Sequence, residues 1–339
     1  MIARAKIFKL PLQHSFGISR WSFNEQKTFI VSLSQNGFTG YGEATENKYY
    51  DVTVEKLQRE FNKLKPFLEG IPLETPWKLW EKIKEETQDF RFLMAAIDEA
   101  AWDLYGKIHN KPVYELLDLK PGTDVISTYT IGLDEIEVMK QKILEKPWPV
   151  YKIKLGTNRD KEIIRALREV TASPFRVDAN AAWNINKTIE MSRWLKERNV
   201  EFIEQPLPAG LEDNLKQHLD QMALPVLADE SCKTENDLQT CLETFHGINV
   251  KLTKAGGITP AYEMLKKAKN AGKKTMVGCM TESTVGISAA AQLLGLCDYA
   301  DLDGALLLAK DLAEGDKITA RGNIYPVTPG NGVVFKENL

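Results

Sequence analysis

The chain is poor in the residues that most often mark a site. It has four histidines and four cysteines in 339 residues. Cys232, Cys241, Cys279 and Cys297 show no CxxC spacing and have no histidine near them, so a zinc site of the usual kind is not expected. Free, buried thiols point to a reducing compartment, and hence to the cytoplasm. The formal net charge of −3 lacks the basic excess of a nucleic-acid binder. No apolar run approaches the length of a membrane span. The N-terminus, Met1–Lys9, alternates apolar and polar residues where a signal peptide would carry an apolar block. Low-complexity tracts are also missing. What remains, 43% hydrophobic and 27% charged residues, is the composition of a soluble globular protein. Its length suits a barrel with a smaller second domain better than one ordinary core.

What the chain does have is charge at regular intervals. Lys152 and Lys154, Asp178, Glu204, Asp229 and Lys251 follow one another at steps of 22 to 26 residues, each inside or at the end of a short apolar run. A period of that size is one strand plus one helix. In a parallel β/α barrel the C-terminal strand ends converge on one mouth. Carboxylates and ammonium groups gathered there are too costly to be core and make sense as a metal site flanked by bases. Three hard oxygen donors from three strands suit Mg²⁺, and no thiol or imidazole stands among them. Strand alternation puts Lys152 and Lys154 on one face, and likewise Asn249 and Lys251. That parity favours Lys251 over Lys254 as the inward lysine.

The rest of the chain reads as α+β followed by β/α. Thr28–Leu33 and Phe38–Glu43 flank an Asn36-Gly37 turn, a hairpin signature. Gly37, Gly40 and Gly42 lack the following helix a phosphate loop needs. Residues 53 to 117 carry helical spacing, through Leu57, Phe61, Leu64 and Phe67 and then Phe92, Ala95, Ala96, Ala100, Ala101 and Leu104, whose small side chains suggest close helix packing. From Val125 strands and helices alternate. Thr259 is expected to cap the helix after Lys251, with Pro260 in its first turn and Gly272 ending it. Strands are expected at 274–279 and 299–303, and at 322–325 and 332–335, the last two returning to the N-terminal domain. This gives an α+β capping domain over 1–120, completed by 320–339, and a barrel over 121–319. Glu230 and Glu282 are read as supporting or surface groups.

Five elements, Lys152-x-Lys154, Asp178-Ala-Asn180, Glu204-Gln-Pro206, Asp229-Glu-Ser231 and Asn249-Val-Lys251, together with Ala96–Leu104, resemble the enolase superfamily in its muconate-lactonising subgroup. The resemblance spans nearly the whole chain. It implies a modified (β/α)7β TIM-like barrel under an α+β cap. It implies that Asp178, Glu204 and Asp229 bind Mg²⁺, and that Lys154 and Lys251 act as acid and base on opposite faces of a substrate. Lys152 would add positive charge beside the developing oxyanion. Removing a proton α to a carboxylate builds charge that a metal and ammonium groups stabilise.

Asp301-Leu-Asp303 resembles the Asp-x-Asp motif of dipeptide epimerases, where two carboxylates hold a substrate ammonium group. Asp before Gly304 is also a common turn former. The alternative members of the superfamily, o-succinylbenzoate synthase and muconate-type cycloisomerase, take dianions and gain nothing from such a pair. The expected substrate is therefore a dipeptide, epimerised at its C-terminal residue, with L-Ala-D/L-Glu of peptidoglycan the first candidate. Arg20, in the loop Phe16–Trp21, is placed to meet a γ-carboxylate. Phe16, Ile18, Trp21 and Phe23 equally suit an apolar side chain. Thr130 resembles a substrate-contacting threonine and is equally an ordinary strand residue. The sequence leaves open whether the chain forms a homo-oligomer.

Overall fold

The computed structural model describes residues 1–17, 22–326 and 328–336. The N-terminal part is an antiparallel sheet of β1 (Ile2–Gly17), β2 (Ser22–Gln35) and β3 (Phe38–Thr45), in that order. Asn36 and Gly37 take positive φ, 54° and 81°, as the two-residue turn between β2 and β3 requires. Phe29, Val31 and Leu33 on one face of β2 are fully buried against α1 (Val54–Glu69), α2 (Pro76–Glu86) and α3 (Arg91–His109). Phe29 meets Phe61 of α1 edge-on at 5.8 Å. Thr53 and Thr75 cap α1 and α2 by accepting from Lys56 and Lys78 amides. The small residues of α3 do pack closely, but against a strand. A Cβ on Gly40 would lie 2.2 Å from the Ala100 carbonyl, and one on Gly42 2.1 Å from that of Ala96. These glycines are there for close approach, not for phosphate.

Eight parallel strands follow: β4 (Tyr129–Ile131), β5 (Tyr151–Lys154), β6 (Phe175–Asp178), β7 (Val200–Glu204), β8 (Val226–Ala228), β9 (Gly247–Lys251), β10 (Lys274–Gly278) and β11 (Tyr299–Asp301). They lie in sequence order, each paired with the next. The Thr128 amide donates to the Ala300 carbonyl at 3.1 Å and brings the last strand back to the first. The intervening helices bury Ile163, Ile164, Leu167, Met191, Leu195 and Leu265 against the strands. The fold is a (β/α)7β barrel with an antiparallel-sheet cap.

Two local expectations change. Thr259 does not cap the helix Ile258–Asn270. It lies inside its first turn, and its amide and hydroxyl both donate to Asp98 of α3, at 2.9 and 2.7 Å. The cap therefore comes from the other domain, because a carboxylate offers two acceptors where a hydroxyl offers one. Gly272, with φ 68°, follows that helix's end as expected. Of the two C-terminal pieces, Val334–Phe335 reaches the N-terminal sheet, Phe335 stacking on Tyr41 at 5.0 Å. Gly322–Ile324 instead pairs locally with Lys317–Thr319. Cys232, Cys241 and Cys297 are buried and free; Cys279 is free but only half-buried. Among the described residues no helix is long and apolar enough to cross a membrane.

Candidate active site

Register assembles the site. Pairing of β5, β6 and β7 sets Lys154 beside Asp178 and Asp178 beside Glu204. Pairing of β9, β10 and β11 sets Lys251 level with Gly278 and Asp301. Asp229 is the first residue past β8. All are at the C-terminal strand ends. Between them and the cap lies a cavity of about 590 Å³. Its barrel wall includes Thr130, Lys152, Lys154, Asn180, Asp229, Glu230, Lys251, Asp301 and Asp303, and its cap wall Phe16, Phe23 and residues 46–53. Asp178 and Glu204 are buried.

One carboxylate oxygen each from Asp178, Glu204 and Asp229 lie within 4.8 Å of one another. Three buried, hard donors with no softer ligand among them fit Mg²⁺. Lys152 Nζ sits at the centre, 2.7 Å from Glu204 Oε2, 2.7 Å from Asp301 Oδ2 and 3.1 Å from Asp178 Oδ2. Burial works against its charge, but these carboxylates hold its pKa well above the usual lysine range. Lys154 Nζ is 2.7 Å from Asp178 Oδ2. Burial would raise the Asp178 pKa, and the Lys154 and Lys152 ammonium groups reverse that and hold it low. Glu204 is pushed up to about 7, chiefly by burial, against the pull of Lys152. Lys251 Nζ lies 2.8 Å from Asp229 Oδ2, and despite burial that pairing raises its pKa. β5 and β9 are four strands apart in a sheet of eight, so Lys154 and Lys251 stand on opposite sides of the mouth.

Asp301 and Asp303 both face the cavity but are not equivalent. Asp301 accepts from Thr128 Oγ1 at 2.6 Å and from Lys152. Its charge is answered from across the barrel, although no cation lies near it in sequence. Asp303 accepts the Thr130 amide at 2.5 Å. Burial and the neighbouring Asp301 push its pKa up to about 7. Among the described residues no ammonium pairs with Asp303 as Lys152 does with Asp301, and a cationic ligand beside it would restore its charge. Thr130 reaches the site through its backbone as well as its side chain. Lys254 is fully enclosed, bonded to Asp229 Oδ1, to the Asp229 carbonyl at 2.6 Å and to that of Cys232 at 3.1 Å. Arg20, with Ile18 and Trp21, lies outside the described residues.

Several residues were only loosely legible: Asn180 as an orienting group or a turn former, and Glu230 and Glu282 as supporting or surface groups. Glu230 and Glu282 are 5% and 4% exposed, so neither is a surface group. Burial first, then the nearby Asp229, pushes Glu230 up to about 7, and burial with Glu43 pushes Glu282 up to about 8. Gln205, at φ 34°, accepts the amides of Asp229 and Ser231 at 2.9 and 3.1 Å. Asn180 and Ala181 also have positive φ, 45° and 58°, a strained backbone held at functional sites. Cys279, read as buried, lines the cavity. The signal in sequence was slight: Gln205 and Glu230 each adjoin a metal-ligand candidate.

Comparison with known proteins points the same way. Residues 2–118 match the family model for the mandelate racemase / muconate lactonizing enzyme N-terminal domain, and residues 135–339 the enolase C-terminal domain-like model. An L-Ala-D/L-amino acid epimerase of Maribacter sp. is 48% identical, covering 98% of both chains. An L-Ala-D/L-Glu epimerase of Bacteroides thetaiotaomicron is 35% identical, over 96% of this chain and 86% of that one. A crystal structure of a dipeptide epimerase from Cytophaga hutchinsonii, complexed with Mg and D-Ala-L-Val, superposes with a TM-score of 0.93 at 25% identity, covering 100% of this chain and 97% of the other.

Proposed function

The chain belongs to the mandelate racemase / muconate lactonizing family of the enolase superfamily, and from that premise we propose that it is a Mg²⁺-dependent dipeptide epimerase. The observation that carries this reading is the pair Lys154 and Lys251, on opposite sides of three buried carboxylates, with Asp301 and Asp303 on the same mouth. Asp178, Glu204 and Asp229 would hold the metal, and Mg²⁺ there would supply positive charge for a substrate carboxylate. One lysine takes that proton and the other returns one to the opposite face of the α-carbon, inverting it. Lys154 and Lys251 each serve as base in one direction and acid in the other. Lys152 adds charge beside the carboxylate. Asp303, with Asp301 behind it, receives the free ammonium of the N-terminal residue, and Thr130 holds Asp303 in place.

The substrate is read as L-Ala-D/L-Xaa. L-Ala-D/L-Glu is the first member to test, supported by the name of the Bacteroides relative and, for the wider class, by that of the Maribacter one. The domain limits we propose are 1–120 with 320–339 for the cap and 121–319 for the barrel; Phe335 packing on Tyr41 supports the return of the last strand to the cap, whereas 322–324 stays paired with 317–319. The experiment is a dipeptide library incubated with protein and Mg²⁺ in D₂O and read by mass. Deuterium should enter the C-terminal α-position of both epimers, and EDTA should stop it. Exchange that persists in EDTA, or occurs only without a free ammonium group, would overturn the assignment.

A further inference from the structure

The turn that follows Lys251 is held by the cap. After β9 the chain makes one helical turn, Leu252–Ala255, and passes through Gly256 and Gly257, with φ of 100° and 117°, into the helix Ile258–Asn270. Three cap side chains grip this stretch in succession. Arg91 Nη1 donates to the Ala255 carbonyl at 2.8 Å, and Trp80 Nε1 donates to that of Gly256 at 2.8 Å. Asp98 accepts from the Thr259 amide and hydroxyl. All three are buried. The fit leaves no slack, since a Cβ on Gly257 would come 2.3 Å from Asp98 Oδ2. Arg91 is itself fixed by Glu235, at 2.7 and 3.0 Å.

The other end of the same turn carries both lysines that hold Asp229, Lys251 on Oδ2 and Lys254 on Oδ1. The Lys154 side is braced from within the barrel. There the Leu155 amide donates to the Asp178 carbonyl at 2.8 Å, and the Gly156 amide to Asp160 at 3.0 Å. We propose that Trp80, Arg91 and Asp98 are positioning residues for Lys251: the cap sets where its Nζ stands, while among the described residues Lys154 is set from within the barrel. This rests on the epimerase reading. In that reaction the α C–H bond breaks, its electron pair moves into the carboxylate, and the proton goes to one lysine Nζ. An N–H of the other lysine then breaks to form the new C–H bond. Both transfers need contact distances of about 2.6–3.2 Å, and a misplacement of about 1 Å costs on the order of 10²-fold.

The test uses full-length protein with Mg²⁺. Trp80→Phe removes the indole donor together with part of the ring, and Asp98→Asn keeps the shape while spoiling one of two acceptors. Each is given the two epimers of Ala-Glu separately in D₂O, with Lys251→Ala identifying the epimer that depends on Lys251. Exchange of that epimer should slow by about 10- to 100-fold, while the other stays within about twofold. Amides of residues 252–259 should also lose protection from hydrogen exchange relative to those of 155–159. Equal slowing of both epimers, slowing of neither, or unchanged amide protection would overturn the proposal. If Asp98→Asn does not fold, Trp80→Phe decides. Should the unaltered protein exchange no dipeptide, the epimerase reading fails and this role with it, and the amide protection still shows separately whether the cap holds the turn.

Discussion

The two walls of the cavity are made by opposite means. On the barrel wall, charged groups are matched pair by pair: Lys152 with Glu204 and Asp301, Lys154 with Asp178, Lys251 with Asp229, all at 2.7 to 2.8 Å. Each stands on or just past a strand, where register fixes the backbone but not the tip of a long side chain. The cap wall is built from strand ends and the loop between β3 and α1. Phe16 and Phe23 meet there at 5.7 Å. Tyr49 and Tyr50 are folded over Asn47, whose side chain accepts their amides at 3.0 and 3.3 Å. The contrast divides the labour. On the proposed reading, charges at the barrel mouth would determine what is done to a substrate, and rings of the cap wall which substrate stays.

That division is broken most severely from the barrel side. Asp229→Asn and Lys251→Ala should each abolish epimerisation, a fall of about 10²–10⁴-fold or more, measured by polarimetry on Ala-Glu. Asp229→Asn should also weaken Mg²⁺ binding in calorimetry, whereas Lys251→Ala should still exchange one epimer in D₂O. Normal epimerisation by Lys251→Ala would hand the role to another base. Next comes the ammonium subsite. Asp303→Asn should cost about 2–5 kcal/mol in kcat/KM, and N-acetylating the dipeptide about as much. Combining the two should add little, since both remove one interaction. Equal turnover of free and acetylated dipeptides would return the chain to the cycloisomerase class. On the cap wall, Phe23→Ala should raise KM for bulky C-terminal residues by about tenfold and leave kcat for small ones alone. A collapse of kcat for every dipeptide would erase the division between the walls.

The smallest effect belongs to the seam where the walls meet. Glu282 is buried near Glu43, which accepts from the Ser283 amide and hydroxyl. Its pKa is raised from 4.5 to about 8. The folded protein therefore holds this proton more tightly than the unfolded chain. The stability this contributes is complete below about pH 4.5 and is lost as pH rises through about 8. Melting temperature should drop by roughly a few degrees between pH 6 and 8.5, and Glu282→Gln should flatten that slope. An unchanged slope would place the titrating proton elsewhere.

The barrel wall was largely legible in the sequence and the seam was not, for a physical reason. A strand-end residue repeats with the strand–helix unit, so Asp178, Glu204 and Asp229 announce themselves by spacing. Asn36-Gly37 is legible because the turn's two positive φ angles admit few residue types. A partner chosen across the fold leaves no such trace. Asp98 caps a helix 161 positions away, and Lys152 answers Asp301 149 positions away. Thr259 has the look of a cap, yet a better acceptor arrives from elsewhere. For Glu230 and Glu282 the sequence leaves a supporting and a surface reading side by side, because burial is a property of the assembled molecule.

Lys152 answers to carboxylates on three strands at once, Asp178, Glu204 and Asp301. Removing any one partner from such a buried set leaves the others uncompensated, so these four positions cannot drift one at a time. The rings of the cap wall touch one another as well, Phe16 on Phe23 and Tyr49 on Tyr50, but bear no charge that a lost partner would leave uncompensated. A single exchange at the barrel mouth should therefore cost more than a single exchange among the cap rings.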